Sequence, residues 1–91
     1  MRRRTPTLVL YSKEDCHLCE AAKEVLRPLC ENFHVSLREV DITHRADLLA
    51  QYGEEVPVGF LDGEKAFKYQ VETKRLKRLL KRAVEEAEKN R

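Results

Sequence analysis

The chain has 91 residues, 42% of them hydrophobic and 37% charged, with a net charge of +2 at pH 7. That length suits one domain built on one core. Charges of mixed sign speak against a polyanionic partner, so nucleic acid is not expected, and no apolar run approaches the roughly 18 residues of a membrane span.

Met1-Arg2-Arg3-Arg4 opens the chain with basic residues. No apolar stretch of about 7–15 residues follows, so a signal peptide is not expected. Residues 1–6 read as a disordered basic arm and residues 7–91 as a single domain. Leu8 to Tyr11 is a short apolar run of strand length, consistent with a strand buried on both faces. Ser12 to Asp15 is polar and acidic and predicts a loop ending in a helix N-cap. Leu18, Cys19, Ala22, Val25, Leu26, Leu29, Cys30 and Phe33 then recur at helical spacing and form one apolar stripe. Pro28 interrupts it, which predicts a bend near Glu24 or an early end.

Val35 to Ile42 predicts a second strand. Thr43 is placed to cap a short helix carrying Leu48, Leu49 and Tyr52, with Gly53 as its stop. After Pro57, Val58 to Leu61 and Lys65 to Tyr69 flank Asp62-Gly63, a hairpin signal. Leu76, Leu79, Leu80, Ala83, Val84 and Ala87 share one face of a last helix, for which Thr73 is a candidate cap. The order βαβαββα predicts an α/β fold. Its first two strands are parallel, its last two form an antiparallel hairpin, and helices cover both faces of a four-stranded mixed sheet.

Cys16 and Cys19 fall where the first strand turns into the first helix. Free amides and the positive end of a helix dipole stabilise a thiolate there, lowering the pKa of Cys16 below the free value of about 8.5. A spacing of three on a helix brings Cys19 beneath Cys16, within reach of a disulfide. This pattern predicts Cys16 as the nucleophile toward a substrate disulfide and Cys19 as the resolving thiol. His17 and Lys13 are candidate tuners of the thiolate, through positive charge beside it. Three cysteines in all fit a reducing compartment, the cytoplasm first and the mitochondrial matrix second.

A competing reading takes Cys16, Cys19, Cys30 and His34 as a Cys-x2-Cys-x10-Cys-x3-His metal pattern, zinc or iron–sulfur. A continuous helix would place Cys30 about 16 Å along the axis from Cys19, so no metal is expected. Cys30 then reads as a small buried hydrophobe.

Tyr11-Ser12-Lys13-Glu14-Asp15-Cys16-His17-Leu18-Cys19 resembles the active-site loop of glutaredoxins, and Glu55-Val56-Pro57 resembles their Val-Pro loop. Asp62-Gly63 follows at the matching distance. The chain after residue 6 is most similar to small glutaredoxin-like proteins of the thioredoxin superfamily with a Cys-x-Leu-Cys motif. That resemblance implies a thioredoxin fold and a thiol–disulfide oxidoreductase. It implies a cis Pro57 facing the dithiol, and substrate binding by Tyr11, Pro57 and the backbone of Val56. It implies disulfides of proteins or small molecules as partners of a monomer. No resident cofactor is expected. Glutathione is a candidate reductant, but the glycine pair that admits it in the usual pose is replaced here within Phe67-Lys68-Tyr69-Gln70-Val71 by bulky residues.

The last helix collects Lys74, Arg75, Lys77, Arg78, Lys81 and Arg82 in its first half. We read them as a solvated face, since no aromatic residues interleave as they do in nucleic-acid platforms. The same fold could also serve as a non-catalytic interaction module, presenting the Pro57 loop and this basic helix.

Overall fold

A computed structural model of the chain describes residues 4–89. Its elements are β1 (Thr7–Ser12), α1 (His17–Phe33), β2 (Ser36–Asp41), α2 (Ala46–Tyr52), β3 (Val58–Leu61), β4 (Glu64–Lys68) and α3 (Thr73–Lys89). The four strands form one mixed sheet in the order β2-β1-β3-β4. β1 runs parallel to β2 and antiparallel to β3, which pairs antiparallel with β4. This is the βαβαββα order and the mixed sheet that the hydrophobic pattern predicts.

Alternation along β1 divides the core. Leu8 and Leu10, both fully buried, join Ala22, Leu26 and Leu29 of α1 and Leu76 and Leu80 of α3. Tyr11 points the other way and meets Leu48, Leu49 and Tyr52 of α2. One face of the sheet therefore carries α1 and α3, and the other carries the short α2.

Of the two outcomes expected at Pro28, the early end does not occur. α1 neither ends nor stops short there but continues to Phe33. Pro28 and Glu24 are both exposed, so the Glu24 carbonyl that loses its helical partner faces water, which can pair it. His34 closes the helix in the left-handed region, with φ 59°, and its N–H donates to the carbonyls of Cys30 and Glu31. Histidine is among the residues that tolerate this region. The apolar stripe is also narrower than expected. Leu18 is 52% exposed and Val25 38%. Seven residues apart, they lie along one flank of the stripe, beyond the reach of the sheet.

Three expected caps do not form, Thr73 among them: it is already the first residue of α3, and the Glu72 carbonyl before it accepts the N–H of Leu76 at 2.9 Å. Asp15 has φ 54° and precedes the cap, which is Cys16 itself. Thr43 lies before the N-cap of α2, Arg45. Its hydroxyl instead donates to Asp41 at 2.6 Å and accepts the N–H of Glu14 at 2.9 Å, tying the loop before α1 to the end of β2. The hairpin turn matches its residues: Asp62 and Gly63 both have positive φ, 49° and 89°, as a type I′ turn requires. Asp62 also accepts the N–H of Thr7 at 3.0 Å and pairs with Arg4 at 3.2 Å. Pro6 is buried, and its carbonyl accepts the N–H of Ser36 at 2.9 Å. Met1 to Arg3 of the basic arm lie outside the described residues.

Candidate active site

β1 delivers the chain to one end of the sheet, and α1 begins immediately beyond it. Cys16 is the N-cap of α1, with extended backbone angles, and its Sγ accepts the N–H of Cys19 at 3.1 Å. A sulfur in that position meets an amide that the first helical turn cannot otherwise satisfy. Cys16 and Cys19 form a disulfide, with Cα atoms 5.2 Å apart. The two sulfurs differ in environment. Cys19 is fully buried, whereas Cys16 is partly exposed.

Cys19 packs with Ile42, Val56 and Val58, and Cys16 and Tyr11 lie against the same cluster. Val56–Pro57 is a cis peptide bond, so the proline expected opposite the dithiol sits between two residues that line its floor. The N–H of Val56 donates to the Tyr52 carbonyl at 3.1 Å. Tyr11 stacks on Tyr52 with centroids 5.2 Å apart, and Phe60 meets both rings edge-on at 5.6 and 5.4 Å. Tyr11 thus belongs to an aromatic trio beneath α2, beside the dithiol.

The two candidate tuners are placed differently. His17 is the first residue of α1, exposed and adjacent to Cys16. Lys13 is turned to the end of α2, where its Nζ donates to the Gly53 carbonyl at 2.9 Å. Cys30 packs with the α1/α3 core, away from the cluster that holds Cys19. Burial pushes its thiol up to about 11. Because α1 is unbroken between Cys19 and Cys30, the spacing that resembles a metal pattern is spread along one helix rather than gathered.

Sequence reasoning missed a polar cluster one turn beyond Cys19. Buried Ser12 donates to Glu39 at 2.8 Å, and Lys23 bridges Glu39 at 3.1 Å and Glu20 at 2.6 Å. Hydrogen bonds to Glu20 and then to Glu39 hold the Lys23 ammonium above its ordinary pKa. Burial pulls Glu39 upward, but Ser12 and Lys23 outweigh it and leave the carboxyl below its ordinary value. The Glu20–Lys23 pair was legible as an i,i+3 spacing; Glu39 comes from another strand and carries no local signal. Tyr69, noted from the sequence only as one of the bulky residues of the stretch 67–71, has a backbone role that the sequence did not suggest. It has φ 70°, and its N–H donates to the carbonyls of Pro57 at 2.8 Å and Glu55 at 3.2 Å.

A mixed four-stranded sheet, a dithiol capping the helix after the first strand, and a cis proline between residues that pack on it define the thioredoxin-fold class. Comparison with known proteins narrows this. Residues 7–81 match the glutaredoxin-like domain (DUF836), and the chain belongs to that family. The glutaredoxin-like protein YDR286C homolog of Dictyostelium discoideum is 25% identical over 72 residues, covering 72% of this chain and 67% of its own. Among solved structures, protein Ne2328 from Nitrosomonas europaea superposes with a TM-score of 0.73 at 26% identity, covering 87% of this chain and 95% of that one. Protein XcR50 from X. campestris gives 0.67 at 32% identity, over 80% and 93%. Thioredoxin 1 of Thermosipho africanus, 14% identical, shares the fold with a TM-score of 0.65 over 90% and 98%.

Proposed function

We propose that the chain is a thiol–disulfide oxidoreductase acting through Cys16 and Cys19. The observation that carries this reading is the asymmetry of the pair. A partly exposed sulfur caps a helix, and its partner is fully buried one turn inward. In the reduced protein the helix end and the Cys19 amide favour a thiolate at Cys16. That thiolate attacks one sulfur of a substrate disulfide, forming a mixed disulfide and expelling the other sulfur as a thiolate, which takes a proton from water. The Cys19 thiol loses its proton to solvent and attacks Cys16 Sγ. The second substrate thiolate leaves, and the protein is left as the disulfide. Two electrons pass from the protein dithiol to the substrate, and a low-molecular-weight thiol or dithiol restores the reduced state.

His17, next to Cys16, supplies positive charge to the thiolate when protonated; Lys13, engaged at Gly53, contributes less. Tyr11, Val56 and Pro57 form the substrate side of the site. Because the Val56 N–H is used by Tyr52, pairing with an incoming backbone falls to the Val56 carbonyl. Partners are disulfides in a reducing compartment such as the cytoplasm, met by a monomer. Among the described residues no helix is long and apolar enough to cross a membrane. Glutathione recycles such a site slowly in this account, since bulky residues of the stretch 67–71 replace the glycine pair of the usual pose.

Trapping tests the assignment. Cys19→Ser, reduced and mixed with a disulfide substrate, should accumulate a mixed disulfide on Cys16 detectable by mass spectrometry. Cys16→Ser should accumulate none. Equal inertness of both variants, or trapping on Cys19 in the Cys16→Ser protein, contradicts it.

A further inference from the structure

Among the described residues, Leu18, Val25 and Tyr69 are the exposed large hydrophobics. Tyr69 carries a second anomaly. Its φ of 70° lies in the left-handed region, where a bulky residue is an outlier and glycine or asparagine sits at little cost. The two other residues of the group have no such strain.

The backbone explains why residue 69 adopts this conformation. Its N–H is held by the carbonyls of Pro57 and Glu55, so the end of β4 is fastened to the loop that carries the cis bond. Glycine or asparagine would keep both hydrogen bonds. The fold therefore requires the backbone of residue 69 and not its ring. Nor does the ring belong to the core: it is 45% exposed, with the Lys68 ammonium 5.4 Å from its centroid. Here an aromatic side chain occupies a conformation that disfavours it and still leaves nearly half of its surface in solvent. Strain of this kind is held most often at sites that bind something.

Position says what. Tyr69 is tethered to the residues on either side of Val56, and Val56 packs with Cys19 and against Cys16. Leu18 lies between the two cysteines. Leu18 is thus an exposed apolar side chain of the segment that carries the dithiol, and Tyr69 one of the segment fastened to the Val56–Pro57 loop. A small polar disulfide uses neither. A polypeptide disulfide brings its neighbouring side chains with it.

We propose that Tyr69 is a specificity-determining residue, whose ring takes an apolar side chain beside the target cysteine and so selects polypeptide disulfides over small ones. This rests on the oxidoreductase reading and leaves its exchange steps unchanged. Single-turnover oxidation of the pre-reduced protein tests it with two probes. One is bis(2-hydroxyethyl) disulfide; the other is a synthetic peptide closed by a disulfide, with leucine next to the attacked cysteine. The readout is the ratio of the two second-order rate constants, peptide over small disulfide. Tyr69→Asn should lower that ratio about tenfold, the order expected for removing an aromatic contact, with no loss of Tm. Tyr69→Phe should keep the ratio. An unchanged ratio in Tyr69→Asn, or an equal fall in both rates, overturns the proposal. A wild-type protein inert toward bis(2-hydroxyethyl) disulfide as well as the peptide overturns the oxidoreductase reading itself, and this inference with it.

Discussion

The three cysteines are one residue type in three environments. Cys16 has a helix amide on its sulfur, Cys19 is buried against Ile42 and Val58, and Cys30 lies in the α1/α3 core. Only the first combines exposure with groups that favour a thiolate. For Cys30, burial raises the pKa to about 11, so the thiol stays protonated and shielded at neutral pH and titrates only as pH climbs toward that value. Fully reduced native protein treated with iodoacetamide at pH 8 should therefore be alkylated at Cys16, with Cys30 modified only after denaturant is added. Labelling of Cys30 as fast as Cys16 would contradict its place in the core.

At the scale of elements, the β3–β4 hairpin shows how one small residue sets a packing distance. Gly59 lies opposite Phe67 across the ladder, and a Cβ at Gly59 would run into the Phe67 ring. Phe67 is itself 7% exposed and part of the main core, so its ring has little room to yield. Gly59→Ala should destabilise the protein by about 1–3 kcal/mol, measured by urea denaturation; a neutral result would mean the ring repacks freely. Such long-range constraints were not legible in advance, whereas local ones were. Asp62-Gly63 announced its turn because both residues accept positive φ, and the stripe from Cys19 to Phe33 announced its helix. Thr43 misled because a hydroxyl can cap a helix or bridge a loop, and only the partner decides: here Asp41 and the amide of Glu14 won. Pro28 did not end its helix, because at an exposed position water can pair the carbonyl that the proline frees.

Across the whole molecule, the sheet separates a large core under α1 and α3 from a smaller cluster under α2, and the dithiol stands at the end of the smaller one. That division follows from the alternation of β1; the sequence showed a strand buried on both faces, and the structure assigns Leu8 and Leu10 to one face and Tyr11 to the other. The dithiol was legible too, and the cis Val56–Pro57 bond was expected through its resemblance to the Val-Pro loop. The Ser12–Glu39–Lys23 cluster was not, since Glu39 joins it from β2, the strand beside that of Ser12, with no local spacing to announce it. The stretch holding Tyr69 was noted for its bulk, but its positive φ was not expected, since nothing in a tyrosine announces one. The account as a whole depends on Cys16 and Cys19 exchanging reversibly between dithiol and disulfide. Equilibration of the wild-type protein in dithiol/disulfide buffers, followed by thiol trapping and mass spectrometry, measures this directly. The account predicts a single two-electron transition confined to Cys16 and Cys19, with a midpoint between about −300 and −120 mV, and Cys30 reduced throughout. A pair that stays reduced, or stays oxidised, across that whole range would contradict it.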